Sequence, residues 1–280
     1  MGATAAARPR RLRSDGGGKP GAAPGRQGPE PAPFPPAVAG TGHNAAVGAP
    51  DPASVAVVTG AGRGIGRAIA LRLAAAGHRV VAAARTGSEL EATAAAAPGV
   101  VTVVADVAVE ADVDRVAATA AGLGDLGIWV NNAAVADRAA FGDLDAAAWD
   151  RVLGVNLRGA FLGCRAAWRL MLAAGGGVIV NIASLSGVAN VEKFPGLAAY
   201  NVSKAGLISL TEAVALEGRP HRIRCLALSP GAVDTEMLRR AAPHLTAGVT
   251  PEQIAGLVAW LVGEEAAPLT GVNIPVLSNA

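Results

Sequence analysis

Short apolar, β-branched runs alternate along most of this chain with longer stretches rich in Ala and Leu. The runs are SVAVVT (54–59), RVVAAA (79–84), VVTVVA (100–105), IWVNN (128–132), GVIVNIA (177–183), IRCLALS (223–229) and VNIPVL (272–277). Between them, apolar positions recurring three and four residues apart predict helices over 65–76, 88–97, 110–121, 145–174, 198–217 and 251–262. Strands apolar at successive positions are covered on both faces. Their alternation with helices specifies right-handed crossovers and an α/β fold, a doubly wound and mostly parallel seven-stranded sheet with helices on both sides.

Residues 1–52 break this pattern, being rich in Ala, Gly, Pro and Arg with almost nothing that could form a buried face. They read as a disordered low-complexity N-terminal extension. Arg10-Arg11 is a twin arginine, but no apolar segment follows it, and Ala6 stands where an acylation signal wants Ser or Thr. A targeting role is therefore the lesser reading. The segment holds six basic and three acidic residues, so 53–280 keeps 18 basic against 19 acidic of the chain's 24 and 22. That near-neutral remainder, and a basic segment without interleaved aromatics, argue for no nucleic-acid partner.

From Ala53 onward the chain is long enough for one sizeable domain with a well-buried core. Cys164, in a helical pattern, and Cys225, in a strand pattern, read as core thiols of a reducing compartment, neither a disulfide nor a metal pair. The histidines His43, His78, His221 and His244 match no triad or metal spacing and are expected in loops or at the surface, so no metal is implied. No apolar run reaches membrane-spanning length, and the expected location is cytoplasmic, without a membrane partner.

Two short stretches carry candidate chemistry. AAYNVSKAGL (198–207) contains the single tyrosine, Tyr200, four residues before Lys204, so that a helix presents phenol and ammonium on one face. The pair is either acid–base machinery or an exposed ion-like pair. TGAGRGIGRAIA, directly after the first strand, spaces Gly60, Gly64 and Gly66 as GxxxGxG and opens a helix. Glycine there permits a tight turn and close approach of a pyrophosphate to unpaired N–H groups at the helix N-terminus. A chain with 36 glycines produces such triplets by accident, but the strand-loop-helix setting favours the phosphate reading.

With further motifs in the same order, the chain resembles the short-chain dehydrogenase/reductase (SDR) family, including its 3-oxoacyl-acyl carrier protein reductase-like members. TGxxxGxG is Thr59 to Gly66, Asp106 follows the third strand, Asn131-Asn132-Ala133-Ala134 stands for NNAG, and Asn156 lies in GVNLRG. Ser184 and Gly187 form SxxG, Tyr200 and Lys204 form YxxxK, and Pro230-Gly231 with Thr235 form the PG loop. The resemblance covers 53–280 and implies a single Rossmann-like catalytic domain binding NAD or NADP. It departs at Ala134, where the family has glycine, and at the last strand VNIPVLSNA, which lacks a common glycine pair.

The resemblance implies that Tyr200 is the catalytic acid/base, that Lys204 lowers its pKa and binds the nicotinamide ribose, that Ser184 holds the substrate oxygen, and that Asn156 orients a proton-relaying water. For the cofactor it implies contacts from Gly60, Arg63, Gly64, Ile65 and Gly66 of the glycine loop, from Asp106 at the adenine, and from Val107, Asn132, Pro230, Gly231, Val233 and Thr235 together with Tyr200 and Lys204. The second strand ends on Ala84 where an acid would favour NAD, followed by Arg85, and Arg63 approaches from the glycine loop, so NADP is expected, with NAD possible.

The expected function is hydride transfer between NADP(H) and a ketone or secondary alcohol, a small-molecule substrate. The alternative is a non-catalytic SDR-like protein that binds or senses a dinucleotide, against which the intact Asn156, Ser184, Tyr200 and Lys204 set argues. Residues 233–250 are expected to form a lid over the substrate, with Arg239 and Arg240 either anion-binding or, as favoured, on a solvated face. Family resemblance further implies a homo-oligomer, dimer or tetramer, through the helices at 145–174 and 198–217.

Overall fold

A computed structural model of the chain describes residues 53–277 together with Gly2, Pro50 and Asp51. The expectations for 1–52 otherwise lie outside the described residues, as do those for 278–280. Seven parallel strands, β1 (Val55–Thr59), β2 (Arg79–Ala84), β3 (Val100–Val104), β4 (Leu126–Asn131), β5 (Gly177–Ile182), β6 (Ile223–Pro230) and β7 (Asn273–Val276), lie in the order β3-β2-β1-β4-β5-β6-β7. The strand order reverses between β1 and β4, which opens a crevice at their C-terminal ends. Helices α1 (Gly64–Ala75), α2 (Gly87–Ala95), α3 (Glu110–Leu123), α4 (Ala146–Leu153), α5 (Gly159–Ala174), α6 (Ala198–Gly218), α7 (Glu236–Ala241) and α8 (Pro251–Val262) connect them.

Side chains two apart on a strand share a face, and the two faces build two cores. Ala56, Val58, Ile128, Val130 and Leu226 pack with Ile69 and Leu73 of α1 and with Ile254 and Val258 of α8. Val55, Val57, Trp129 and Ile179 pack on the other side with Val113 and Val116 of α3 and Met171 of α5. Every residue of β1, β4, β5 and β6 is buried, which is why those runs are mostly apolar, with Thr59, Asn131, Asn181, Arg224 and Ser229 their buried polar members. β3 differs from that expectation: it is an edge strand, and Val104 is 55% exposed.

Helix ends follow local chemistry. Thr250 and Gln253 form a reciprocal capping box ahead of Pro251, and the Asp145 carboxylate accepts from the Ala148 N–H at 2.7 Å to start α4. The stretch 145–174 is not one helix as predicted. A π turn at 154–158 separates α4 from α5 and contains Asn156.

Several polar side chains inside the fold are hydrogen-bonded. Arg224 of β6, 1% exposed, donates to the carbonyls of Leu261, Val262 and Ala266, binding the end of α8 to the sheet; burial pushes its pKa down to about 10. Cys164 and Cys225 are free and buried on either side of Asn181, whose Oδ1 lies 3.7 Å from Cys164 Sγ and whose Nδ2 lies 3.6 Å from Cys225 Sγ. Burial raises the Cys225 pKa well above the ordinary thiol value.

His78 lies in the loop before β2, as expected, yet is buried against Ser54, and desolvation lowers its pKa. His221 and His244 pack edge-on against Trp168 and Phe194, while His43 lies outside the described residues. Among the described residues no helix is long and apolar enough to cross a membrane.

Candidate active site

The crevice begins at the glycine loop. Gly60 and Gly64 take positive φ values of 65° and 53°, the left-handed region that L side chains rarely adopt. A Cβ on Gly66 would strike the Gly60 carbonyl and the Asn132 amide, so only glycine lets α1 start this close to β1. No side chain caps the N-terminus of α1 and no acid lies in its first turn, which leaves its N–H groups free to bind an anion. Thr59 and Asn132 lock this loop to β4: Thr59 Oγ1 accepts from the Asn132 and Ala133 N–H groups, while Asn132 Nδ2 donates to the carbonyls of Thr59 and Gly60. The family's glycine loop and NNAG motif are thus one structural unit. Ala134 lines the crevice just beyond it.

A cleft of about 610 Å³ runs from this loop to the mouth of α6. Gly60, Arg63, Gly64, Ile65 and Gly66 line one end with Arg85, and Asp106, Val107 and Asn132 line its side. Ser184, Tyr200 and Lys204 form the far end, roofed by Pro230, Gly231, Val233 and Thr235. Every sequence-predicted site residue except Asn156 borders this one space. The open helix N-terminus and the glycine cradle fit a pyrophosphate, so the residues present suit a dinucleotide.

At the far end the Tyr200 phenol and the Ser184 side chain border the same space, and Ser184 Oγ accepts from the Ser186 N–H at 3.1 Å. Lys204 is 2% exposed and donates from Nζ to the Ile182 carbonyl at 2.7 Å, with Nζ 5.7 Å from the centre of the Tyr200 ring. Gly187 permits this assembly, because a Cβ there would come within 2.5 Å of the Lys204 backbone. The exposed-pair reading of Tyr200 and Lys204 is thereby excluded.

The electrostatics differ from the expected direction. Burial raises the Tyr200 pKa, opposed by the nearby Ser184 side chain, and burial alone pushes Lys204 down to about 7. At this depth desolvation outweighs the neighbouring amine.

Asn156 stands behind the wall instead of in the cleft. Its Nδ2 donates to the Val135 carbonyl at 2.9 Å and to Ser203 Oγ at 3.0 Å, and its Oδ1 accepts from the Val135 N–H at 2.8 Å. Ser203 in turn donates to the Tyr200 carbonyl at 2.8 Å. Asn156 therefore holds the cleft strand after β4 and the turn of α6 that carries Tyr200. Ser203 was not singled out from the sequence, where a serine one residue before the motif lysine carries no distinct signal.

Residues 233–250 contain α7, capped by Thr235, whose Oγ1 accepts from the Leu238 N–H. Arg239 pairs with Asp234 at 2.6 Å and borders the cleft, while Arg240, which does not border it, pairs with Glu236. Arg63 departs from its expected freedom: its guanidinium pairs with Glu236 on the lid and lies 3.8 Å from Glu89 of α2. Between the lid and the 188–197 loop, Val191, Phe194, Leu197, Met237 and Leu245 give the substrate end an apolar lining.

An open parallel sheet with a glycine turn at its switch point and a Ser-Tyr-Lys corner across the same cleft defines a nicotinamide-dependent α/β oxidoreductase. The model of the family described as short chain dehydrogenase matches residues 54–245, and the chain belongs to that family. It is similar to 2-(R)-hydroxypropyl-CoM dehydrogenase of Xanthobacter autotrophicus, 42% identical over 241 residues spanning 79% of this chain and 95% of that protein. Acetoacetyl-CoA reductase of Shinella zoogloeoides is 35% identical over 232 residues, 79% of this chain and 95% of the relative. Among solved structures, the 3-ketoacyl-(acyl-carrier-protein) reductase from Brucella melitensis complexed with NADH superposes with a TM-score of 0.73 at 33% identity, covering 80% of this chain and 96% of that one. The chain is a hydride-transferring oxidoreductase of the ketoreductase type.

Proposed function

We propose that Tyr200 is the acid/base of this ketoreductase and that NADP(H) is its preferred cofactor. The observation that carries the first part is Tyr200 lining, together with Ser184 and buried Lys204, the end of a cleft whose other end is an uncapped helix N-terminus. Nicotinamide supplies or accepts the hydride when bound. Ser184 positions the substrate oxygen against the phenol, Tyr200 gives or takes the proton there, and Lys204 holds the nicotinamide ribose. Asn156 acts as a positioning residue through Val135 and Ser203.

NADP preference is supported by Ala84, which leaves the end of β2 without an acid, and by Arg85, exposed at the cleft edge. The substrate is a small ketone or secondary alcohol whose body meets the apolar wall of Phe194, Leu197 and Met237. Self-association through α5 and α6, in a cytoplasmic enzyme, is supported by exposed Phe161, Leu172, Val202 and Leu216 on those helices. The test is loss of nicotinamide absorbance when NADPH, and separately NADH, is mixed with a panel of ketones. Turnover with a higher kcat/KM for NADH would overturn the NADP preference, and dinucleotide binding with no turnover of any ketone would return the non-catalytic reading.

A further inference from the structure

The end of β2 lacks an acid, yet an acid stands beside it. Glu89 lies in the first turn of α2, five residues after Ala84, and lines the same cleft. A Cβ on Gly62 of the glycine loop would lie 2.8 Å from Glu89 Cβ, 2.9 Å from its Oε2 and 3.6 Å from Ala84 Cβ. The carboxylate thus packs on the glycine loop next to Ala84, in the neighbourhood that a longer side chain at the end of β2 would enter. Its helix is held there: buried Thr93 donates to the carbonyls of Ala61 at 3.1 Å and Glu89 at 3.0 Å.

Resting on the dinucleotide reading of this cleft, we propose that Glu89 is a cofactor-specificity residue that supplies, from α2, the acceptor β2 does not. A ribose 2′-hydroxyl there meets a carboxylate, and a 2′-phosphate meets that same negative charge. The cations around it offset this unequally. Arg63 is shared between Glu89 and Glu236, whereas Arg85 has no side-chain partner among the described residues. Selectivity is then the difference between Arg85, which attracts the phosphate, and Glu89, which repels it.

The test measures dissociation constants by calorimetry on the intact chain for NAD⁺ and NADP⁺. AMP and adenosine 2′,5′-bisphosphate, which differ only in the 2′-phosphate, form a second pair. Glu89→Gln keeps the size and hydrogen-bonding reach of the side chain and removes its charge. It should raise the affinity ratio of phosphorylated to unphosphorylated ligand about tenfold in both pairs, the size of one charge-assisted contact. Arg85→Ala should lower that ratio. The Glu89→Gln shift should persist in an Arg63→Ala background, since it comes from the carboxylate and not from freeing Arg63. A purely structural Glu89 would weaken both ligands alike and leave the ratio within about twofold, which would overturn the proposal. So would a shift that vanishes with Arg63→Ala. A wild-type chain that binds none of the four ligands would overturn the dinucleotide reading itself.

Discussion

Lys204 spends one of its three donors on the Ile182 carbonyl at the end of β5, 2.7 Å away, from a position that is 2% exposed. An amine buried this way titrates near 7 instead of near its ordinary value of 10.5. Its folded pKa lies below the unfolded one, so between these values the unfolded chain binds more protons and stability rises with pH. Chemical denaturation of the cofactor-free protein should therefore show higher stability at pH 9 than at pH 7, each unit of pKa difference being worth about 1.4 kcal/mol at most. Lys204→Met should flatten that slope. An equal slope in the variant would show that Lys204 is charged and solvated in the folded protein.

Tyr200→Phe removes the proton donor and leaves the glycine loop, Lys204 and the lid untouched. Turnover should fall about a hundredfold or more, while dissociation constants for the nicotinamide nucleotides stay within a few fold. Stopped-flow turnover together with calorimetric binding checks this. Wild-type turnover in the variant would remove Tyr200 from the chemistry.

Exchanging the cofactor-selecting end of β2 is a separate test. Ala84→Asp with Arg85→Ile places a carboxylate at the strand end and removes the exposed guanidinium. Steady-state kinetics should then move the kcat/KM ratio toward NADH by about tenfold to a hundredfold. With Glu89 already close by, the double variant should gain part of this shift from loss of Arg85 alone. An unchanged ratio would mean that neither position meets the 2′ substituent.

The strands and most helices were legible because burial on both faces demands unbroken apolar runs, and because the connecting helices show their period clearly. The glycine loop and the Tyr200–Lys204 pair were legible through spacing, since GxxxGxG and YxxxK encode local geometry, while the other cleft residues were legible only through the family resemblance. What stayed hidden depends on contacts between distant parts of the chain. Arg63 and Glu236 are 173 residues apart, and nothing in either neighbourhood announces their pairing. The π turn at 154–158 arises where Asn156 must meet Val135 and Ser203 together, a demand set by three elements at once. Depth misled as well: YxxxK places the phenol and amine side by side, but the direction of their pKa shifts follows from burial that spacing does not reveal.

Asn156 offers the sharpest separation of support from chemistry. It satisfies both backbone groups of Val135 and one lone pair of Ser203, and it does not border the cleft. In Asn156→Ala the part-buried N–H and C=O of Val135 lose their side-chain partner, at about 1 kcal/mol for each lost hydrogen bond. For a domain of this size a loss of about 2 kcal/mol lowers Tm by roughly 4–8 °C. Tyr200→Phe, by contrast, should leave Tm nearly unchanged. Turnover in Asn156→Ala should also fall, because Val135 lines the cleft and Ser203 holds the turn carrying Tyr200. Thermal melts of the two variants beside their kinetics decide the matter. If Asn156→Ala lost turnover with an unaltered Tm, the asparagine would act on the proton directly, and its bracing of Val135 would be incidental.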